Sequence, residues 1–299
     1  QSSVSSSNEC LVLRVRRVKK ATTRWRYLVP SSGVVLHAFG ADRFDYYALA
    51  DNCARLVTKF LQLPITLVTD REPQTNLYDK VIICQSESNY QRTLRNVTDA
   101  EHLVQYIYKN DTRARSLEFS PYDQTILLDT DYLIFNSDLL HYLKTDYDFL
   151  CPWRVYDLTN RNSYDGFKYI NNTIPQAWAT VIVFNKSTAS RAIFAHWQMI
   201  QDHYEYYSAL LSVTGHYRND YALSLAAHTM NGCQTAQEKL PAMFMLPGDS
   251  YIEKIDKNLN ILINCLGRII KVSKTNIHVM NKLCLQSDMM QKAIHDITS

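Results

Sequence analysis

Two aspartates one residue apart, Asp129 and Asp131, sit at the end of the apolar run Ile126-Leu127-Leu128, with Thr130 between them. In extended chain, residues two apart face the same side, so both carboxylates can address one cation. Hard oxygen donors of this kind suit Mn2+ or Mg2+, and such an ion neutralises a diphosphate leaving group. Pairs of acids at this spacing also occur in ordinary surface turns. Here an apolar strand runs directly into them, and burying two unpaired carboxylates would be costly. The arrangement therefore reads as a metal site at the carboxyl edge of a sheet, where open α/β sheets bind ligands.

The elements that must deliver those residues are legible on both sides. The chain has 299 residues, with 46% hydrophobic and 20% charged, ordinary values for a folded domain with a substantial core. Residues 34–39 (VVLHAF) read as a buried strand, 44–62 as an amphipathic helix, 64–70 and 80–84 as further strands. Residues 99–119 carry a helical pattern broken near Asn110-Asp111, and 124–135 is the strongest strand of all. Residues 147–153 and 178–185 look like strands; 188–211 and 219–231 look helical. Short strands at 242–246, 261–266 and 268–272 precede a closing helix at 288–297. Strands alternating with helices argue for right-handed βαβ units and a mainly parallel mixed sheet flanked by helices, an α/β fold.

The run SPYDQTILLDTDYLIFNSDL resembles the metal-binding region of GT-A glycosyltransferases, the glycogenin and lipopolysaccharide-galactosyltransferase group. It is similar also to small glycosyltransferase-like proteins of tailed marine phages. The resemblance covers residues 33–285 and implies a Rossmann-like GT-A domain with a nucleotide half followed by an acceptor half. Asp129 and Asp131 are then metal ligands, and the segment IHVMNK resembles the family's H-x-x-G-x-x-K, with Asn281 in place of Gly and Lys282 early. That implies His278 as a third ligand and Lys282 on the donor phosphates. Thr112-Arg113 falls where the family has a donor-binding basic residue, with Arg115 the competing choice. Thr130 and Tyr46 are further donor-side candidates, Tyr46 as a stacking partner for the base. HYRNDYALSLAAH resembles the helix opening D-Q-D-x-x-N, which implies catalytic positions at Asn219 and Asp220; Arg218 replaces the first acid. Without the resemblance, Asn219 and Asp220 read equally as helix caps. Gln176 and Trp178 are expected to shape the acceptor pocket.

The implied reaction moves a sugar from a nucleotide sugar, a UDP-sugar by kinship, to a hydroxyl, with retention of configuration. Two rivals stand beside it. A sugar nucleotidyltransferase would carry a Gly-rich basic loop after its first strand, and HAFGADRF has one Gly and one Arg. A non-catalytic assembly or nucleic-acid module would not need the acids kept at 129 and 131. The acceptor classes open to the sequence are glycan, modified DNA, lipid-linked sugar and protein.

Charge is unevenly placed. Of the net +3, residues 1–30 carry seven Lys and Arg against Glu9, which leaves residues 31–299 at −3. This Ser-rich extension is expected to be either an appended tail or an arm contacting DNA phosphates, with residues 31–299 as the catalytic domain. The seven Cys are dispersed without a C-x-x-C pair, which argues for reduced thiols and a cytoplasmic setting, the host cytoplasm for a viral protein. No apolar run reaches the roughly 20 residues of a membrane span, and basic residues interrupt the apolar stretch near the start, unlike a signal peptide.

Overall fold

The computed structural model describes residues 14–17, 31–41, 43–86, 91–95, 103–107, 109, 111–160, 169–171, 173–233, 240 and 242–299. In chain order the first half comprises β1 (Arg14–Arg17), β2 (Ser32–Ala38), α1 (Tyr46–Leu56) running into a π-turn over Val57–Leu61, β3 (Ile65–Thr69) and β4 (Lys80–Ile83). β5 (Gln91–Arg95) and β6 (Leu103–Ile107) follow, then a 3-10 turn (Asp111–Arg115) passing into α2 (Ser116–Phe119), β7 (Gln124–Leu128) and β8 (Tyr132–Leu133). The second half comprises α3 (Leu139–Tyr142), β9 (Phe149–Leu150), β10 (Val155–Asp157), β11 (Val181–Asn185), α4 (Thr188–Asp202), α5 (Tyr204–Leu210) and α6 (Asn219–Met230). β12 (Met243–Leu246), β13 (Ser250–Ile255), β14 (Asn260–Cys265), β15 (Arg268–Ser273), β16 (Ile277–Val279), α7 (Lys282–Leu285) and α8 (Asp288–Thr298) complete it.

The central sheet has the order β1-β4-β3-β2-β7-β11-β9. β4, β3, β2 and β7 are mutually parallel, β1 and β11 run antiparallel to them at the flanks, and β9, antiparallel to β11, returns to the direction of the parallel set. Its period-2 alternation builds two cores. Val34, Leu36, Ile126 and Leu128 face α1 and α8 on one side; Val35, Leu127, Ile182 and Phe184 face α2, α4 and α6 on the other. Both faces are covered, so these strands are apolar throughout rather than alternating with polar residues. Each buried Leu, Ile or Phe contributes about 1.5–3 kcal/mol of transfer free energy.

Local signals explain the boundaries. Asp45 caps α1 by accepting from Tyr47 N and Ala48 N at 3.0 Å each, worth about 1 kcal/mol. The helix stops at Gln62, whose φ is 53°, just before Pro64. Ser187 and Ser287 cap α4 and α8 in the same way as Asp45.

Three expectations need correction. The helix expected over 99–119 is a strand at Leu103–Ile107, paired antiparallel with β5, and turns helical only from Asp111. The segment LVQYI is rich in β-branched and aromatic residues, and strand pairing overrides its local helical spacing. The helix expected over 188–211 breaks at His203, where φ and ψ leave the helical region (−123°, 36°). Lastly, β13 was not expected as a strand, because SYIEKI hides its alternation behind two charged residues. Of the basic N-terminal segment, residues 14–17 pair with β4 at the sheet edge. The remainder, and with it the expected arm, lies outside the described residues.

Among the described residues three smaller sheets complete the fold, one of them the two-stranded β5–β6 pair. β10, β12 and β16 are parallel, with β8 antiparallel to β16. β13, β14 and β15 form an antiparallel meander. Among the described residues no helix is long and apolar enough to cross a membrane. The six described Cys are free thiols.

Candidate functional site

β7 belongs to the central sheet and β8 to the second sheet, so the three residues between them, Asp129-Thr130-Asp131, form the turn that joins the two. This is at the carboxyl end of the parallel strands, beside β11. Asp129 N donates to Thr180 O at 2.8 Å, and Val279 N donates to Asp131 O at 3.0 Å. One aspartate is thereby tied to the residue just before β11 and the other to β16, the strand that carries His278. β16 pairs His278 with Tyr132, which brings the histidine from the far end of the chain alongside Asp131.

Asp129, Asp131 and His278 each present a ligand atom, and these atoms lie within 4.8 Å of one another. Among the described residues no other group of three His, Cys, Asp or Glu does this. Asp131 Oδ2 lies 3.5 Å from His278 Nε2 and 2.5 Å from Lys282 Nζ. Burial by itself would raise the Asp131 carboxyl, but Lys282 and His278 outweigh it and hold the group well below the usual carboxylate range. Asp129 behaves oppositely. Although 27% of its side chain touches solvent, burial of the carboxyl pushes it up against the pull of Arg113, and the Asp131 charge adds to the rise. His278 is buried, and its Nδ1 has no hydrogen-bond partner. Two carboxylates and an imidazole in this spacing are a donor set that fits Mn2+ or Mg2+.

Arg113 is nearly inaccessible. Its Nη1 lies 3.0 Å from Asp129 Oδ1, and its other donors go to backbone: Nε to Ala179 O at 3.1 Å, Nη1 to Leu128 O at 3.3 Å, and Nη2 to Ala179 O. It meets the site through Asp129. Its position is set by His37, whose Nε2 lies 2.9 Å from Ser116 Oγ and whose Nδ1 lies 3.1 Å from Thr112 Oγ1. Ser116 Oγ donates onward to Arg113 O at 2.7 Å, so it accepts from His37, and the ring is neutral with its proton on Nε2. Burial, then the Arg113 charge, holds the His37 imidazole well below its ordinary value. Arg115 takes no part in these contacts; it pairs with Glu118 at 3.2 Å and lies over Phe119.

The stretch before β11 is the second clamp. Ala179 N donates to Asp220 Oδ1 at 2.8 Å, and Ala177 N donates to Ser224 Oγ at 2.7 Å, fixing α6 against the site. Asn219, at the start of α6, accepts from Tyr217 Oη at 2.7 Å within the core. Trp178 meets the His278 ring edge-on at 6.4 Å, and Gln176 is buried with its Oε1 unpartnered. Thr130 is buried in the turn. Lys282 opens α7, where Asn281 caps the helix by accepting from Cys284 N at 3.2 Å.

Across the carboxyl edge, Tyr46 stands edge-on to Phe44 at 6.1 Å. Its neighbour Tyr47 is the more elaborated residue, unmarked in the sequence. The Arg71 guanidinium lies 3.5 Å over its ring, and its hydroxyl donates to Asp70 at 2.5 Å. Asp70 also accepts from Gly40 N at 3.1 Å, and burial followed by that carboxylate raises the Tyr47 phenol to about 12. His37 was likewise passed over, although a lone imidazole inside an apolar strand was a readable signal.

No protein-family model matches the chain, and no curated protein matches it. Among solved structures it is similar to the glycosyltransferase GlyE of Streptococcus pneumoniae TIGR4, at 13% identity and a TM-score of 0.37. That alignment covers 66% of this chain and 43% of GlyE, so the chain spans less than half of that protein. It is similar also to the galactosyltransferase LgtC in complex with donor and acceptor sugar analogues, at 15% identity and a TM-score of 0.41, over 64% of this chain and 69% of that one. For mouse xyloside xylosyltransferase 1 the values are 8% identity and a TM-score of 0.39, over 69% and 85% of the two chains.

Proposed function

We propose that the chain is a metal-dependent glycosyltransferase of the GT-A type, transferring a sugar from a UDP-sugar to a hydroxyl with retention of configuration. The observation that carries this reading is the meeting of Asp129, Asp131 and His278 within 4.8 Å, with Lys282 on Asp131 and Arg113 behind Asp129. A site that gathers two carboxylates, an imidazole and an ammonium group suits a divalent cation together with a diphosphate.

Asp129, Asp131 and His278 would hold the ion, which when bound supplies charge neutralisation to a departing diphosphate. Arg113 aims Asp129 and compensates its charge from within the core. Lys282, on the rim of the same cluster, serves the phosphates. Asp220, held by Ala179 N, and Asn219 at the start of α6 are the residues for the sugar and the incoming hydroxyl. Gln176 and Trp178 line the acceptor side, where the unpartnered Gln176 Oε1 offers a hydrogen-bond acceptor. Tyr46 is assigned to the base.

The test is a screen of UDP- and GDP-sugars for hydrolysis and transfer with Mn2+ present. We expect turnover of a UDP-sugar that chelation abolishes and that Asp131→Asn loses while its thermal unfolding stays cooperative. Turnover that is the same in chelator, or in Asp131→Asn, overturns the reading.

A further inference from the structure

The β13–β15 meander carries its core side inward and an unusual face outward. Ile252, Ile263 and Ile270 line the inner side, the first two fully buried and the third partly so. Directly opposed residues of antiparallel strands share a face, so Tyr251, Asn264 and Ile269 form one outward row. Lys254, Leu262 and Lys271 form the next. The hairpin tip between β14 and β15 is the two-residue turn Leu266-Gly267, with Arg268 beyond it.

Leu266 is the most exposed large apolar side chain among the described residues, at 77%, and its φ is 52°. Both facts run against folding. The left-handed conformation favours Asn or Gly, and a solvent-facing turn has no use for a leucine. Ile269 and Tyr251 are 50% and 45% exposed on the same outer face. Alongside β13, Asn281 Nδ2 donates to Ser250 O and Ile252 N donates to Cys284 Sγ, so α7 runs beside that strand and brings exposed Met280 and Leu283 next to it.

We propose that this face is a membrane-docking surface, seating Leu266, Ile269 and Tyr251 among the headgroups of an anionic lipid bilayer. Charge selects that occupant. Lys254 and Lys271 are exposed in the outward row and Arg268 is exposed just past the hairpin tip, while the acid beside them, Glu253, is engaged by Asn264 Nδ2 at 2.6 Å. The basic groups outnumber it, an arrangement that pairs with anionic headgroups while the apolar side chains enter the interface. Tyrosine, amphipathic at its ring, is at home at that depth. α7 adjoins the same edge and carries Lys282, so docking would hold the mouth of the candidate site close to the lipid surface.

The experiment uses the full chain and extruded vesicles of phosphatidylcholine alone or with about 30 mol% phosphatidylglycerol, read by co-flotation. The wild type should float with the anionic vesicles, lose binding as salt rises, and stay behind with the neutral ones. Leu266→Asn combined with Ile269→Thr should cut the vesicle-bound partition about tenfold. Asn suits the left-handed turn, so Leu266→Asn alone should melt no lower than the wild type; this separates lost docking from lost folding. Three results overturn the proposal: no flotation of the wild type with anionic vesicles, unchanged flotation of the double variant, or self-association through this face without vesicle binding. None of these outcomes bears on Mn2+-dependent turnover, so the docking surface and the enzymatic reading fail separately.

Discussion

Asp131 Oδ2 has an ammonium group 2.5 Å away and an imidazole at 3.5 Å. An ion binding that oxygen must displace the ammonium. Replacing Lys282 by Met should therefore tighten Mn2+ binding in the absence of nucleotide, on the order of tenfold, while weakening UDP binding; titration calorimetry with Mn2+ alone and then with UDP reads both. Weaker Mn2+ binding in Lys282→Met would mean that the lysine supports the ion rather than competing with it. Arg113 acts from inside. Its removal in Arg113→Ala leaves Asp129 and two backbone carbonyls without their buried partner, a loss of about 3–5 kcal/mol measurable by denaturant unfolding. Arg113→Lys should recover only part of it, because one ammonium cannot span Ala179 O, Leu128 O and Asp129 together. An Arg113→Ala variant as stable as the wild type would show that the guanidinium is dispensable to the fold. The acids at 129 and 131 were readable because an apolar strand delivers them. The burial of Arg113 was not, since a basic residue in a turn gives no sign of which way its guanidinium folds.

At the scale of elements, β2, the 3-10 turn and α2 are locked by one neutral histidine. His37 titrates near its ordinary 6.5 when unfolded and well below it when folded. Between those values the unfolded chain binds more protons, so stability is full above about pH 6.5 and declines as the pH falls below it. Melting temperature should drop between pH 6.5 and about 5, above the main carboxylate range, and His37→Gln should flatten that slope. Equal slopes would contradict the burial of a neutral ring here. The elements legible in advance were those with a single covered pattern: β2, β3, β4 and β7 as short apolar runs, and α1, α6 and α8 by helical spacing. Those misread had their structure decided at long range. β6 becomes a strand because β5 pairs with it, and His203 breaks what looked like one long helix; neither cause is local to the residues affected.

Over the whole molecule, the candidate site exists because two sheets meet. β7 ends the central sheet, β8 begins the second, and β16 returns more than a hundred residues later to lie against β8 with His278 in register beside Tyr132. Short motifs far apart in the chain pointed to this meeting, but its geometry depends on the parallel order β10-β12-β16, which no local pattern announces. The same turn joins the central sheet to the second sheet, so an ion there would brace both, and saturating Mn2+ should raise the melting temperature of the wild type. The most direct test of the central claim is anomalous X-ray diffraction at the manganese edge from crystals grown with Mn2+ and UDP. One strong anomalous peak is expected, bonded to Asp129, Asp131 and the imidazole of His278 at roughly 2.0–2.3 Å from each, with Lys282 drawn away from Asp131. A peak elsewhere, or none with UDP bound, would contradict it.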